Sequence, residues 1–191
     1  MKCLAAALLA WSAAAASAAP ATYDLDPDHS FVHFELRHFG TSTIRGRFGP
    51  ARGSVTLDRE AQRGEVSIEL PMASVSTGVA PFDAHLRRGD LLETDAYPTA
   101  WFVARSLRFG AAGEPALAAV QGELSWRGVS LGLTLTATRF GCYPHPRLRR
   151  EVCGGDFEGE LRRSDLDIDY GLPFVADRVR IVVQVEGVRR D

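Results

Sequence analysis

The sequence predicts an all-β protein, an antiparallel up-and-down β-barrel of about eight strands with one short helical insertion. Three observations carry that expectation. Beyond residue 18, apolar and polar side chains alternate along most of the chain, the period of strands with one buried and one wet face. Gly, Pro and Asp clusters cut the alternating runs into short pieces, as turns between successive strands would. A chain of 191 residues, 46% hydrophobic and with a formal charge of −2, suffices for one domain with a sizeable core. The same figures exclude a disordered chain. Arginines scattered over a near-neutral total do not make a nucleic-acid binder.

The first 18 residues stand apart. Lys2 gives a positive start, residues 4–16 form an uncharged apolar run, and Ala16-Ser17-Ala18 fits the small-residue cleavage rule. We read residues 1–18 as a signal peptide and 19–191 as the barrel domain, placed in the periplasm or secreted. The apolar run is shorter than the roughly 20 residues a transmembrane helix needs. Cys3 leaves with the signal, so an even pair remains, Cys142 and Cys153. An oxidising compartment would bridge them. The stretch between them is rich in Pro and Arg and reads as a loop closed at its base, a constraint worth roughly 3 kcal/mol by chain entropy. A zinc site with His145 would be short of ligands, and no metal is expected.

The strands follow in order. Residues 30–38 put Val32, Phe34 and Leu36 on one face and His33, Glu35 and Arg37 on the other. Residues 65–70 repeat this with Val66, Ile68 and Leu70. Around residues 101–109, Trp101, Val103, Leu107 and Phe109 are assigned to the inner face. Leu131, Leu133 and Leu135 alternate with Thr134 and Thr136, and Val179, Ile181, Val183 and Val185 with Arg180 and Gln184. The expected lining of the interior is therefore Val32, Phe34, Leu36, Trp101, Val103, Leu133, Leu135, Ile181 and Val183. Closing the sheet removes its edges, and about eight strands leave room for side chains or one small ligand. Between Pro71 and Pro98 the alternation lapses. Phe82, His85 and Leu86 have helical spacing behind Pro81, which predicts a short helix over 81–88, a further turn at 90–94, and a lid over one mouth.

Two patterns that suggest chemistry have plainer readings. Gly128-Val129-Ser130-Leu131-Gly132 spells the hydrolase nucleophile pattern, but that chemistry needs a strand-to-helix elbow, and here a strand continues through Leu135. His29, His33 and Glu35 share a parity, yet i and i+4 on a strand lie roughly 13 Å apart, too far for one ion. They read as an exposed polar face, whereas His38 falls on the apolar parity and is expected near a barrel mouth.

The order of short motifs resembles the YceI-like, polyisoprenoid-binding family. The likeness begins with Tyr23, Asp26, His29 and Ser30, and continues with His38, Gly40 and Ser42, then Gly46 and Phe48. The insertion carries Asp83, His85 and Leu86, then Tyr97-Pro98-Thr99; later come Gly122 and Leu124, Gly128-Val129, and Arg163-Ser164-Asp165. The departures are Phe82 for arginine, Leu91-Leu92 for paired phenylalanines, and Leu166-Asp167 for phenylalanine-glycine.

The resemblance implies a lipocalin-like barrel that holds a long isoprenoid, a quinone tail or polyprenyl lipid, with no cofactor and no catalysis, and it admits a homodimer. His38, Asp83, His85, Arg163 and Asp165 are then the polar candidates, either meeting the ligand's head group or pinning the lid. Arg163 is expected to clamp a carboxylate. Arg147, Arg149 and Arg150 make the bridged loop basic, which suggests transient contact with a membrane surface. The rivals are a secreted hydrolase using Ser130 and a ligand-free interaction module whose barrel is filled by its own side chains.

Overall fold

The computed structural model describes residues 19–110 and 117–191. The signal peptide expected over residues 1–18 lies outside the described residues.

Among the described residues, ten strands form one antiparallel sheet: β1 (Ala21–Leu25), β2 (Phe31–His38), β3 (Ser42–Phe48), β4 (Arg52–Asp58), β5 (Arg63–Pro71), β6 (Thr99–Phe109), β7 (Leu117–Trp126), β8 (Val129–Pro144), β9 (Glu151–Arg162) and β10 (Arg178–Arg189). Eight of them, β1 and β4 to β10, close into a ring in that order, with β10 returning to β1. From β4 to β10 this is the expected meander. The start differs: β1 pairs with β4, not with β2. Both β1 and β2 lie on the same edge of β10, β2 against residues 180–184 and β1 against residues 187–189. The turn between them bends the chain without reversing it. Its Asp26 carboxylate accepts the Asp28 N–H at 3.0 Å, an Asx turn. Beyond β4's reach, Arg47 of β3 exchanges two main-chain hydrogen bonds of 2.9 Å with Ser76 and completes the wall.

One end of the barrel is capped. A 3-10 turn (Met72–Ser74) leads to the helix α1 (Ala80–Leu86), the one α-helix among the described residues, with Pro81 in its first turn. The helix falls within the predicted insertion. A second cap comes from a 3-10 turn (Arg163–Leu166) and residues 167–177, which precede β10.

Two bulges shift which residues face inward, and the first corrects the expected faces. In β6 the register slips between Ala104 and Ser106. Ala100 and Ala104 are therefore buried and Phe102 faces the interior, while Leu107 and Phe109 pack inward beyond the slip. Trp101 and Val103, expected inside, lie on the outer surface at 46% and 43% exposure. Placing them with Leu107 and Phe109 assumed an unbroken period of two, which one extra residue reverses. A second slip, between Ala137 and Arg139 of β8, turns Phe140 and Cys142 inward beside Tyr23 and Cys153.

The Cys142–Cys153 disulfide is present, but its setting differs from a loop base. The two cysteines face each other within the β8–β9 ladder, and pairing continues to Pro144 and Glu151. The bridge is a cross-strand staple inside the far end of the barrel. Tyr23, 2% exposed, packs beside it and donates a hydrogen bond of 2.5 Å to Glu151. Burial, then the Glu151 carboxylate, pushes the Tyr23 phenol up to about 12.

Candidate functional site

The interior is hollow. A cavity of about 260 Å³ lies under the caps, and a second of about 130 Å³ lies toward the disulfide end. Val32 lines both, so they share a wall. In the upper cavity β2 supplies Phe34, Leu36 and His38, β10 supplies Val179 and Ile181, and α1 supplies Phe82, His85 and Leu86. Met72 and Trp126 complete that wall. The lower cavity is lined by Leu135 of β8, Val183 of β10, Phe102 of β6 and Phe157 of β9. The expected Leu133 is 7% exposed and buried in the core around Phe157, lining neither cavity.

Glycines keep this space open. Gly46 lies opposite Phe34 across β2 and β3. A Cβ there would stand 2.4 Å from Phe34 Cζ. Gly122 of β7 likewise underlies Phe102, with the ring carbon Cζ 2.6 Å from where a Cβ would be. Both inward rings pass over bare backbone at these glycines. The family-like motifs that begin at Gly46 and Gly122 thus acquire a steric reason.

The polar candidates divide. Those at the mouth are His38, which lines the upper cavity and packs edge-on to Phe39 at 4.8 Å, and His85, whose ring meets Tyr170 edge-on at 5.5 Å. Because His85 belongs to α1 and Tyr170 to the second cap, this contact is the seam between the two caps.

Asp83 is 8% exposed and does not line the cavity. It accepts the Thr77 hydroxyl at 2.7 Å and the Thr77 N–H at 2.6 Å. The hydroxyl first, then the N–H, holds its carboxyl below the ordinary range. Asp83 therefore fastens α1 to the segment before it.

Arg163 is 5% exposed and also lines the upper cavity. It does not clamp a carboxylate as expected. Its guanidinium donates to four main-chain carbonyls, those of Ile168, Tyr170, Val175 and Ala176, at 2.8–2.9 Å. A planar fork with five N–H donors suits that task, since it gathers a non-repeating segment whose carbonyls have no ladder to bind them. Burial lowers its affinity for its own proton relative to a free guanidinium.

Asp165 is exposed and away from the cavity. The neighbouring carboxylate that acts is Asp177, which accepts the Ser164 N–H and hydroxyl, both at 2.9 Å. The pattern Arg163-Ser164-Asp165 pointed to the right turn and the wrong acid, because the partner follows twelve residues after Asp165.

Arg127 is legible in the sequence only as half of the turn signal Arg127-Gly128. It donates to the Leu166 and Leu91 carbonyls and to Glu93, tying the segment that follows α1 to the second cap. Its place before Gly128 in a hairpin turn was the available signal. Among the described residues, every fully buried side-chain nitrogen and oxygen has a partner. The core therefore offers no stranded polar atom to a ligand. Ser130 is exposed, shares a 2.7 Å hydrogen bond with Ser125, and is followed by strand rather than helix.

These features match a known family. The YceI-like domain covers residues 23–187. The chain belongs to the YceI-like family. It is 31% identical to Protein YceI of Shigella flexneri over 185 residues, 96% of this chain and 94% of that protein. It is 32% identical to a UPF0312 protein of Pseudomonas aeruginosa over 186 residues, 94% and 92% of the two chains.

Solved structures share the YceI-like fold at lower identity. BcnA of Burkholderia cenocepacia superposes with a TM-score of 0.66 at 20% identity, over 85% of this chain and 99% of BcnA. A polyisoprenoid-binding domain from Saccharophagus degradans, implicated in plant cell wall breakdown, gives 0.63 at 18%, over 88% and 98%. YceI-like membership and the closed barrel both agree with the expectation from sequence.

Proposed function

We propose that this protein holds a long apolar lipid, an isoprenoid quinone or polyprenyl compound, inside its barrel and acts as a periplasmic carrier or scavenger without catalysing a reaction. One observation carries the reading: two apolar cavities lie end to end within a closed sheet. The alternative of a barrel filled by its own side chains fits poorly with this much empty space. An apolar cavity of about 150 Å³ is enough to take up benzene. The upper cavity therefore has room for roughly two isoprene-sized units as it stands, and a longer tail would thread toward the lower one. Each buried methylene contributes about 0.8 kcal/mol gross, less the cost of ordering the chain. Ten of them give roughly 8 kcal/mol.

The Saccharophagus degradans domain, by its description a polyisoprenoid binder, supports the same ligand class. His38, His85 and Tyr170 stand where a tail entering under the caps would leave its polar end. The signal-like residues 1–18 and a disulfide suit an exported protein. Carriage needs no cofactor or metal, and the reading stands for a monomer or a homodimer.

Trp126 lines the upper cavity, so its fluorescence reports occupancy. In the mature chain (residues 19–191), where Trp11 is absent, with Trp101→Phe, titration with a long-chain quinone delivered from detergent should quench Trp126 saturably at one ligand per chain. An unsaturable or absent response, with the barrel folded, would remove the carrier reading. Ser130→Ala should bind as the parent does; loss of an esterase activity in that variant would instead favour the hydrolase.

A further inference from the structure

Four of the eight large apolar side chains that stand most exposed among the described residues crowd one mouth of the barrel. They are Phe39, Val79, Tyr170 and Phe174, each more than half exposed. All stand around the entrance to the upper cavity, and Phe39, Val79 and Phe174 lie outside its lining. Phe39 follows His38, Phe174 precedes Val175, Val79 caps α1, and Tyr170 is itself part of the lining.

The arrangement is rigid and carries a cost. The Phe39 and Phe174 rings stack at 5.4 Å with 14° between their planes, and the Phe39 N–H donates to the Phe174 carbonyl at 2.7 Å. Phe39 has φ 49° and Gly40 φ 67°, as in a type I′ turn, closed by the Thr41 N–H on the His38 carbonyl at 3.0 Å. That turn favours Asn-Gly, and a bulky residue in the left-handed region is strained. A polar residue would form the turn more easily and would not leave an aromatic ring in water. Strain kept at an exposed aromatic beside a cavity mouth marks a working surface.

We infer that this rim docks on a lipid bilayer, seating Phe39, Phe174, Tyr170 and Val79 at the boundary between headgroups and acyl chains. Its purpose rests on the lipid-binding reading above. The rim is continuous with the apolar lining of the upper cavity, so a tail leaving the acyl chains would enter the barrel without crossing water. A second copy of the chain seated there would plug the mouth instead.

Charges beside the rim are of both signs: Arg37, Arg88 paired with Asp90, Asp167 and Asp169. Attachment is therefore apolar rather than electrostatic and insensitive to salt. The basic loop with Arg147, Arg149 and Arg150 follows the Cys142–Cys153 ladder at the opposite end and takes no part.

The test is flotation of the mature chain with phosphatidylcholine vesicles that contain no isoprenoid. The parent protein floats at low and high salt. Phe39→Asn/Phe174→Ser weakens partitioning by at least about tenfold, while the variant stays folded and takes up quinone from detergent as the parent does. An Arg147→Ser/Arg149→Ser/Arg150→Ser variant floats like the parent.

The inference is overturned if the parent stays with the unbound fraction, if the double variant floats equally well, or if the arginine variant alone is released. It also falls if the double variant abolishes a dimer while the parent shows no vesicle binding. Flotation on vesicles without isoprenoid decides the rim, and uptake from detergent separately decides the cavity's ligand.

Discussion

The ring of Phe34 occupies the place where a side chain at Gly46 would stand, with Cζ 2.4 Å from the position of its missing Cβ. The lumen stays open because this ring, like Phe102 over Gly122, lies against bare sheet. Gly46→Val should drive the Phe34 ring into the upper cavity. We expect loss of quinone-dependent Trp126 quenching and destabilisation of about 1–3 kcal/mol from overpacking, read by urea unfolding. Phe34→Ala should do the reverse to the lumen, widening it while costing about 3–5 kcal/mol.

Arg163 holds four carbonyls of the second cap with one side chain. Lysine presents a single ammonium and cannot reach them all. Arg163→Lys should cost about 3 kcal/mol or more, because buried carbonyls lose their donors. Hydrogen exchange should rise over residues 167–177 before the strands are affected, and bound quinone should leave faster. Unchanged exchange there would show that the cap is held by something else.

The Asp83 carboxylate, kept low by the Thr77 hydroxyl and N–H, makes the lid acid-sensitive. Its folded value lies below the ordinary 3.8, so the stability it contributes is present above that value and lost as pH falls through the depressed one. Exchange protection of residues 77–86 should therefore be flat through neutral pH and drop only below about pH 4. Asp83→Ala should show the same loosening already at neutral pH.

The cross-strand bridge should contribute about 3 kcal/mol. Cys142→Ala/Cys153→Ala should lower stability by that order while keeping the fold, since the β8–β9 ladder pairs on both sides of the bridge. Intact mass of freshly exported protein should be two hydrogens below that of the reduced chain. Free thiols in that material would contradict the bridge.

Much of this architecture was legible because strands announce themselves by parity. Val32, Phe34 and Leu36 on β2 and Ile181 and Val183 on β10 line the cavities as the alternation required. Trp101 and Val103 were misplaced because a bulge leaves no trace in a run of apolar residues. The pairing of β1 with β4 was hidden for a related reason: an Asx turn that bends a strand and a turn that reverses it use the same residues.

The helix was visible from Pro81, Phe82 and His85, but not its anchor, since nothing in sequence ties Asp83 to Thr77 rather than to Arg163. Asp165 came into view through the Arg163-Ser164-Asp165 motif, which does not reach Asp177. Contacts across a cap depend on how a non-repeating segment folds back, and periodicity carries no information about that.

Solvent extraction of natively purified protein, followed by mass spectrometry, tests the central claim most directly. A barrel built to hold a lipid should yield a long-chain isoprenoid at about one per chain, and the Gly46→Val form should yield far less. Parent protein that comes out empty, and that takes up neither quinone nor polyprenol when these are supplied, would contradict it.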